Sequence, residues 1–346
     1  MFVPPAAAIL AEGSSRLRPR RRRPAREGKT VLKTAICDLF GIEHPIIQGG
    51  MAHLGTVELV LAVSNAGALG VIGAGHYEPD WVREQIRLTK QQTSKPFGVN
   101  IQLASPFAME IIEVVLEEGV AIVATGAGNP VPHIPRFKQA GMKVMPIVPS
   151  VRLAKRMEEA GADAVVVEGM ESGGHVGETT TMALVPQVVN SVSIPVVAAG
   201  GIADGRGLVA ALALGAEGIQ MGTRFACSEE CVAHPRYKQK ILEAHDRSTV
   251  VTGHTTGFPL RSLQNSLTEQ YLELEKAGAT SEELDMFARG RMYLGLIEGD
   301  TDDGSLLSGQ IAGLIKQIKP VRVIIEETVS EAEAIIENLA SLRGQG

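Results

Sequence analysis

The segment with the clearest chemical potential is a glycine-rich loop that carries one histidine. Residues 168–177 read EGMESGGHVG, so His175 lies among four glycines directly after an apolar run. Glycines leave room for a ligand beside the imidazole, and histidine exchanges protons near neutral pH. A lone histidine is more often structural, but this position after a strand favours a catalytic one. We therefore predict His175 as the catalytic residue.

Two more glycine-containing loops follow the last two apolar runs, in AAGGIADG and QMGTR. Gly200 and Gly201 would let the backbone approach an anion, and Thr223 offers a hydroxyl group beside the amides of Gly222 and Thr223. The alternative is that these glycines serve turn geometry only. The two loops together favour a phosphate site, and the absence of a GxxxxGK[ST] motif argues against an NTPase.

Two polar residues at strand ends complete the candidate site. Asn100, in KPFGVNI, carries a carboxamide that both donates and accepts hydrogen bonds, which suits the edge of a heterocycle. Glu168 is placed to contact a ring or a polyol hydroxyl group. The alternatives are a capping role for Asn100 and satisfaction of loop amides by Glu168.

The elements that position these residues form a repeat. Apolar runs followed by helix-like stretches occur eight times, which predicts a (β/α)8 barrel; the alternative is an open doubly wound sheet. The runs are apolar on both faces, as expected for buried parallel strands. They are Pro45–Gln48, Leu69–Ile72, Phe97–Ile101, Ala121–Thr125, Lys143–Val148, Ala164–Glu168, Ile194–Ala198 and Gly218–Met221.

The remaining chain lacks this rhythm. We assign residues 31–228 to the barrel, 229–310 to a helical lid over its carboxyl-terminal face, and 311–346 to a helix that packs on the barrel wall. Leu263–Lys276 and Ser281–Leu296 are predicted lid helices, and Glu326–Leu342 is the predicted final helix. Pro320–Ile325 is expected to be an extended connector.

Charge is unevenly distributed over the 346 residues. The net charge is −6, but residues 1–35 carry +7 and the rest −13, and an acidic body argues against a nucleic-acid enzyme. Residues 1–30 hold the arginine run Arg20–Arg23 and are predicted to be a disordered basic tail. A transit peptide or basic arm is one interpretation; we favour a natural start near Val31.

The cysteine content indicates the cellular compartment of the protein and whether it could bind a metal ion. Cys37, Cys227 and Cys231 cannot form a disulfide framework, and together with the lack of an apolar membrane span they predict a cytoplasmic protein. Cys227 and Cys231 are four residues apart, but no further ligands have matching spacing, so no metal site is predicted.

Several motifs resemble the nitronate monooxygenase (2-nitropropane dioxygenase) superfamily of FMN-dependent barrels. They are PIIQGGM, KPFGVNI, TGAGNP, EGMESGGHVG, IPVVAAGGIADG and GTRF. AHPRYKQKI and GSLLSGQIAG resemble its enoyl-[acyl-carrier-protein] reductase II branch. The likeness extends over roughly residues 33–315, and Ser172 stands where the motif often has alanine.

The resemblance implies FMN, with His175 as the active-site histidine. The residues expected to bind the cofactor are Gly49, Gly50, Met51, Asn100, Glu168, Gly173, Gly174, Ala199, Gly200, Gly201, Gln220, Met221, Gly222 and Thr223. The last two loops would hold the phosphate, and the other segments would surround the ring. The same resemblance makes a homodimer plausible.

Two activities fit this site. The first is reduction of 2-enoyl thioesters by NADH or NADPH in fatty-acid synthesis; the second is oxidation of alkyl nitronates with O2. A flavin-free isomerase or aldolase is disfavoured because no lysine ends a strand. An acidic acyl carrier partner would require a basic patch, for which Arg224, Arg236, Lys238, Lys240 and Arg261 are candidates; a solvated helical face is the alternative.

Overall fold

The strands of the computed structural model, which describes residues 32–75 and 77–342, form a barrel and a small sheet. The predicted tail of residues 1–30 lies outside the described residues. The strands are β1 (Ile46–Gln48), β2 (Gly70–Gly73), β3 (Phe97–Gln102), β4 (Ile122–Gly126), β5 (Lys143–Val148), β6 (Val165–Glu168), β7 (Gly174–His175), β8 (Val196–Ala199), β9 (Gly218–Met221), β10 (Thr249–Thr252) and β11 (Leu260–Leu263).

Eight of these strands are parallel and confirm the predicted (β/α)8 barrel. Their order is β1-β9-β8-β6-β5-β4-β3-β2, and a parallel bridge between Ile47 and Leu69 joins β1 to β2 and closes the ring. The open doubly wound alternative is therefore wrong. The other three strands form an antiparallel sheet in the order β10-β11-β7.

Side chains on the barrel strands alternate between two apolar layers. One buried cluster fills the lumen and includes Ile47, Val71, Ala124, Met145, Val166 and Val197. The other lies between strands and helices and includes Ile46, Val99, Val123, Val165, Ile219 and Met221. Burial on both faces explains the uninterrupted apolar runs of the sequence.

Helices follow the barrel strands as predicted and continue into the carboxyl-terminal third. They are α1 (Ala35–Phe40), α2 (Val57–Asn65), α3 (Pro79–Gln92), α4 (Ala108–Glu117), α5 (Ile134–Gln139), α6 (Val151–Glu159), α7 (Thr181–Val189), α8 (Gly205–Ala213), α9 (Thr223–Ala226), α10 (Pro235–Glu243), α11 (Ser266–Lys276), α12 (Ser281–Ala288), α13 (Arg291–Tyr293) and α14 (Val321–Ser341). A π-helix spans Leu294–Glu298, and a 3-10 helix spans Gln310–Leu314.

Glycines end the barrel helices, as the sequence predicts. Gly119 after α4 and Gly161 after α6 both have positive φ, which side chains disfavour. The chain then turns directly into the next strand.

The lid, residues 229–310, is not purely helical. The predicted helix Leu263–Lys276 is wrong at its start, because Leu263 belongs to β11 and Asn265 caps α11 through a capping box. The predicted helix Ser281–Leu296 is interrupted after Ala288, since Gly290 adopts left-handed geometry before α13. The pairing of β11 with β7 is a long-range contact that local sequence does not encode.

The predicted connector Pro320–Ile325 is also wrong. Helix α14 begins at Val321, because Pro320 sets the turn and the carboxylate of Glu230 accepts a hydrogen bond from the Val321 N–H. The helix packs mainly against α8. No helix of the described residues is long and apolar enough to cross a membrane.

Helix α1 covers the amino-terminal end of the barrel. Its side chains Ile36, Cys37 and Phe40 belong to the lumen cluster. The amide of Ala35 donates to the Glu217 carboxylate just before β9, at 3.1 Å. The lumen is thus sealed at the end opposite to the candidate site.

Replacing Phe40 by alanine should open a cavity in this floor. We expect Phe40→Ala to lower the free energy of unfolding by about 3 kcal/mol, measured by urea denaturation. Met109→Ala is the control, because Met109 is 52% exposed on α4 and its loss should change stability by less than about 0.5 kcal/mol. Equal stability of the two variants would contradict the role of α1 as the floor.

Candidate active site

Three polar side chains point into the lumen at the carboxyl-terminal end of the barrel. Asn100 lies on β3, Glu168 ends β6 and Gln220 lies on β9. The strand neighbours of Asn100 and Gln220 all pack in the outer cluster, which fixes the inward direction of the two amides. Glu168 lies two residues after the lumen residue Val166. The barrel therefore brings these three predicted residues together.

The loop after β1 approaches two of these amides closely. An added Cβ at Gly50 would collide with the Cβ of Asn100 and lie 2.8 Å from its Cγ. A Cβ at Gly49 would lie 3.3 Å from the Gln220 Cδ. Gly50 is therefore required by the packing of Asn100 against the backbone, whereas a side chain at Gly49 would require a small shift of Gln220.

Asn100 carries an acceptor that the described residues leave unused. Its Nδ2 donates to the Gly50 carbonyl oxygen at 3.3 Å, whereas its Oδ1 is buried and accepts no hydrogen bond from them. Buried acceptors are nearly always paired. This oxygen therefore points to a ligand with a hydrogen-bond donor.

The loop of residues 169–177, here the His175 loop, is fixed at three points. The carboxylate of Glu171 accepts hydrogen bonds from the Thr181 N–H and Oγ1 at 2.9 Å. Arg261 donates from Nε and Nη2 to the Met170 carbonyl oxygen at 3.1 and 3.0 Å. Strand β7 pairs with β11, and His175 is exposed opposite Leu260. These three contacts fix the backbone of the loop that carries the imidazole.

The two predicted phosphate loops lie beside this loop. Gly200 and Gly201 have φ of 90° and 73°, which favour glycine. Thr223 begins α9 and is buried, and its Oγ1 accepts a hydrogen bond from the Gly309 N–H at 2.9 Å. An added Cβ at Gly222 would have only ordinary contacts with Met51. The lid therefore contacts one side of these loops.

Three predicted cofactor residues are placed differently from the rest. The Met221 side chain packs in the outer cluster, so it faces away from the lumen. Gly173 packs against Ser308 and the Gly309 amide, so the lid backbone accounts for this glycine. Gly174 is buried within β7 and pairs with Arg261. Ala199, in contrast, lines the lumen.

The predicted basic patch is largely wrong. Arg224, Lys238 and Arg261 are buried, each with a charged group that donates to backbone carbonyl oxygens. Arg236 and Lys240 on α10 are exposed. The three buried cations stabilise the lid and its junction with the barrel and cannot attract an acidic partner.

An aromatic group that the sequence motifs did not indicate lies at the same end of the barrel. His53, in the loop after β1, contacts the rings of Tyr77 and Tyr293 edge to face, with centroids 5.4 and 5.5 Å apart. Tyr77 also stacks on Trp81. The available signal was the position of His53 two residues after Met51, and the clustering of scarce aromatic residues after β1 and β2.

The cysteines take no part in this site. Cys37, Cys227 and Cys231 are buried thiols. Burial raises the pKa of Cys231 to about 11. Within residues 32–75 and 77–342 no group of three or more His, Cys, Asp or Glu side chains could hold a metal ion.

A barrel with an imidazole at its mouth and glycine loops beside it is the architecture of an enzyme. The family described as nitronate monooxygenase matches residues 33–113 and 107–331, and the chain belongs to this family of oxidoreductases. Among solved structures, FabK from Thermotoga maritima is 50% identical, with a TM-score of 0.88 over 90% of this chain and 99% of that chain.

Relatives with other names are also similar. A nitroalkane oxidase from Streptomyces ansochromogenes is 27% identical with a TM-score of 0.78, over 88% of this chain and 100% of that chain. The "(3aS,4S,5R,7aS)-5-hydroxy-7a-methyl-1-oxo-octahydro-1H-indene-4-carboxyl-CoA dehydrogenase" of Mycobacterium tuberculosis is 34% identical over 90% of this chain and 99% of its own. A probable nitronate monooxygenase of Staphylococcus saprophyticus is 34% identical over 88% and 99%.

Glu168 gives this site a measurable pH dependence. Burial raises the pKa of its carboxyl group to about 7. The folded protein therefore binds the proton more tightly than the unfolded chain does. The free energy of unfolding should fall by up to about 3 kcal/mol between about pH 4.5 and pH 7 from this group alone.

Urea denaturation across this pH range tests the assignment. Glu168→Gln should remove this part of the pH dependence, whereas Glu159→Gln, on the exposed face of α6, should retain it. The same slope in wild type and Glu168→Gln would show that the carboxyl group is not buried in its neutral form.

Proposed function

We propose that this protein is an FMN-dependent reductase that uses NADH or NADPH to reduce 2-enoyl thioesters. The observation that supports this proposal is an exposed histidine on a fixed loop after β6, at the same end of the barrel as the inward-pointing Asn100, Glu168 and Gln220. The motifs resemble the reductase branch of the family, and the 50% identity to FabK agrees with that branch.

The described residues fit FMN. The unpaired Oδ1 of Asn100 suits a ring N–H, and the backbone at Gly49 and Gly50 offers a flat surface beside it. Gly200, Gly201, Gly222 and the amide of Thr223 would hold the phosphate through backbone N–H groups. Gly200 packs against the Gly169 carbonyl oxygen and Gly201 against the Glu171 side chain, whereas an added Cβ at Gly222 would have only ordinary contacts. Met221 and Gly173 would contribute only through the surrounding packing.

When bound, FMN supplies the carrier that passes a hydride from the nicotinamide to the enoyl group. The step that remains for the protein is stabilisation or protonation of the product of hydride addition, and we assign this step to His175. Addition of hydride to the β-carbon leaves negative charge on the thioester oxygen, and the imidazole stabilises this charge or donates the proton to the α-carbon. Asn100 orients the ring, and the lid restricts water at the mouth.

The thioester itself is the partner that the site supports best. With three of the five candidate cations buried, Arg236 and Lys240 alone remain of the predicted patch for an acyl carrier protein. We therefore propose a small acyl thioester as substrate, since an acyl carrier protein would have to bind mainly through contacts outside this patch.

Nitronate oxidation is the second candidate. The match to the nitronate monooxygenase family and the similarity to the nitroalkane oxidase favour it. His175 would then act as a base or hydrogen-bond partner of the nitronate. The same pocket serves either reaction, so the fold alone does not choose between them.

Product analysis separates the two. The protein is incubated with NADH or NADPH and crotonyl-CoA, and butyryl-CoA is measured by mass spectrometry. In parallel, oxygen consumption is measured with an alkyl nitronate. We expect butyryl-CoA formation. Oxygen consumption with the nitronate and no butyryl-CoA would replace the reductase with the monooxygenase.

The role of His175 predicts a loss of turnover without loss of cofactor. His175→Ala should retain flavin absorbance and lower kcat by about 100-fold or more, because a general acid contributes on this order. His245→Ala is the control, since the His245 side chain is 68% exposed outside the site. Normal turnover of His175→Ala would rule out the proposed role.

The close approach at Gly50 predicts a loss of cofactor affinity. In Gly50→Ala the added methyl group must displace Asn100, so the Kd for FMN should rise by about tenfold or more, measured by flavin fluorescence titration. Gly119→Asn is the control, because open space surrounds Gly119 and asparagine tolerates positive φ. Unchanged affinity in Gly50→Ala would place the cofactor elsewhere.

A further inference from the structure

Four aromatic side chains form a contact between the barrel and the lid, here called the aromatic collar. It consists of His53 after β1, Tyr77 and Trp81 after β2, and Tyr293 at the end of α13. The His53 ring contacts Tyr77 on the barrel side and Tyr293 on the lid side, at centroid distances of 5.4 and 5.5 Å. Such spacings leave no gap between the rings.

The backbone fixes His53 in this place. His53 has φ of 60°, a left-handed conformation that is uncommon for residues other than glycine. The turn around it is closed by hydrogen bonds from the Leu54 and Gly55 N–H groups to the Met51 carbonyl oxygen, at 3.2 and 2.8 Å. Backbone strain of this kind concentrates at functional sites.

The collar lies across the mouth from the His175 loop. In the ring of strands β6 is three strands from β1 in one direction and four from β2 in the other. The His175 loop and the collar are therefore nearly opposite contacts between the lid and the barrel rim, and the hydrogen bond from Gly309 to Thr223 after β9 lies between them. The inward-pointing Asn100, Glu168 and Gln220 lie between them.

The two contacts differ in kind. At the His175 loop the lid is joined by strand pairing, by the buried Arg261 and by the hydrogen bond from the Gln310 N–H to the Glu171 carbonyl oxygen, at 2.9 Å. At the collar the shown contacts are ring edges, and Tyr293 is 45% exposed. The collar is therefore the contact at which replaceable side chains, and not paired backbone, join the lid to the barrel.

We propose that His53 and Tyr293 are specificity-determining residues that admit slender, unbranched acyl groups and exclude ring-bearing ones. This inference rests on the proposed thioester reductase function. The relative from Mycobacterium tuberculosis is named for a fused-ring carboxyl-CoA, so acyl bulk is a property in which members of the family differ. In this chain the closed His53–Tyr293 contact limits that bulk.

The test compares crotonyl-CoA with cyclohex-1-ene-carbonyl-CoA as substrates of the flavin-loaded enzyme. His53→Gly removes the ring and suits the positive φ, and Tyr293→Ala removes the lid ring from an exposed position. Each should lower the ratio of kcat/KM for crotonyl-CoA over the cyclic thioester by about tenfold or more, mainly through the KM of the cyclic substrate. Leu339→Ala, at an exposed position of α14 away from the collar, should leave the ratio unchanged.

An unchanged ratio in both His53→Gly and Tyr293→Ala, with both variants folded and flavin-loaded, would overturn the inference. Failure of the proposed function has a different signature, in which the wild type reduces neither thioester. The same variants are then compared with ethyl and cyclohexyl nitronates, where a shift toward the cyclic substrate supports the collar and an unchanged ratio overturns it.

Discussion

The interaction on which the site depends is the pair of hydrogen bonds from the Arg261 guanidinium to the Met170 carbonyl oxygen. Burial lowers the pKa of Arg261, and Glu171 opposes this effect. Hydrogen bonds to a charged group are worth about 1.5–3 kcal/mol each, and a buried unpaired guanidinium would be strongly unfavourable. Separation of the lid from the His175 loop would break these hydrogen bonds, so they stabilise the backbone of the loop that carries the imidazole.

Close backbone approach is the second constraint, and it acts inside the lumen. Gly49 and Gly50 let the amides of Gln220 and Asn100 lie against the first loop. The same contact leaves the Asn100 Oδ1 buried and available. At the end of β6, burial raises the pKa of Glu168 to about 7, so the lumen also holds a carboxyl group that is partly neutral at physiological pH. The site combines a flat backbone surface with few polar groups, which suits a planar cofactor.

The features that could be predicted correctly are those encoded by residues close together in the sequence. The barrel could be predicted from the sequence because apolar runs and the glycines that end helices are local features, which depend only on residues that are neighbours in the chain. The strand β11, the buried state of Arg224 and Lys238, and the packing of Gly173 against Ser308 depend on residues far apart in sequence. Lysine and arginine are usually exposed, so a surface patch was a reasonable prediction, and only the tertiary structure shows their carbonyl partners.

The most direct test of the proposed function is a rapid-mixing absorbance trace at about 450 nm under anaerobic conditions. The flavin-loaded protein is mixed first with NADH or NADPH and then with crotonyl-CoA. Bleaching by the nicotinamide and recovery upon addition of the thioester are the predicted results. No bleaching by either nicotinamide, with rapid bleaching by an alkyl nitronate, would contradict the reductase assignment.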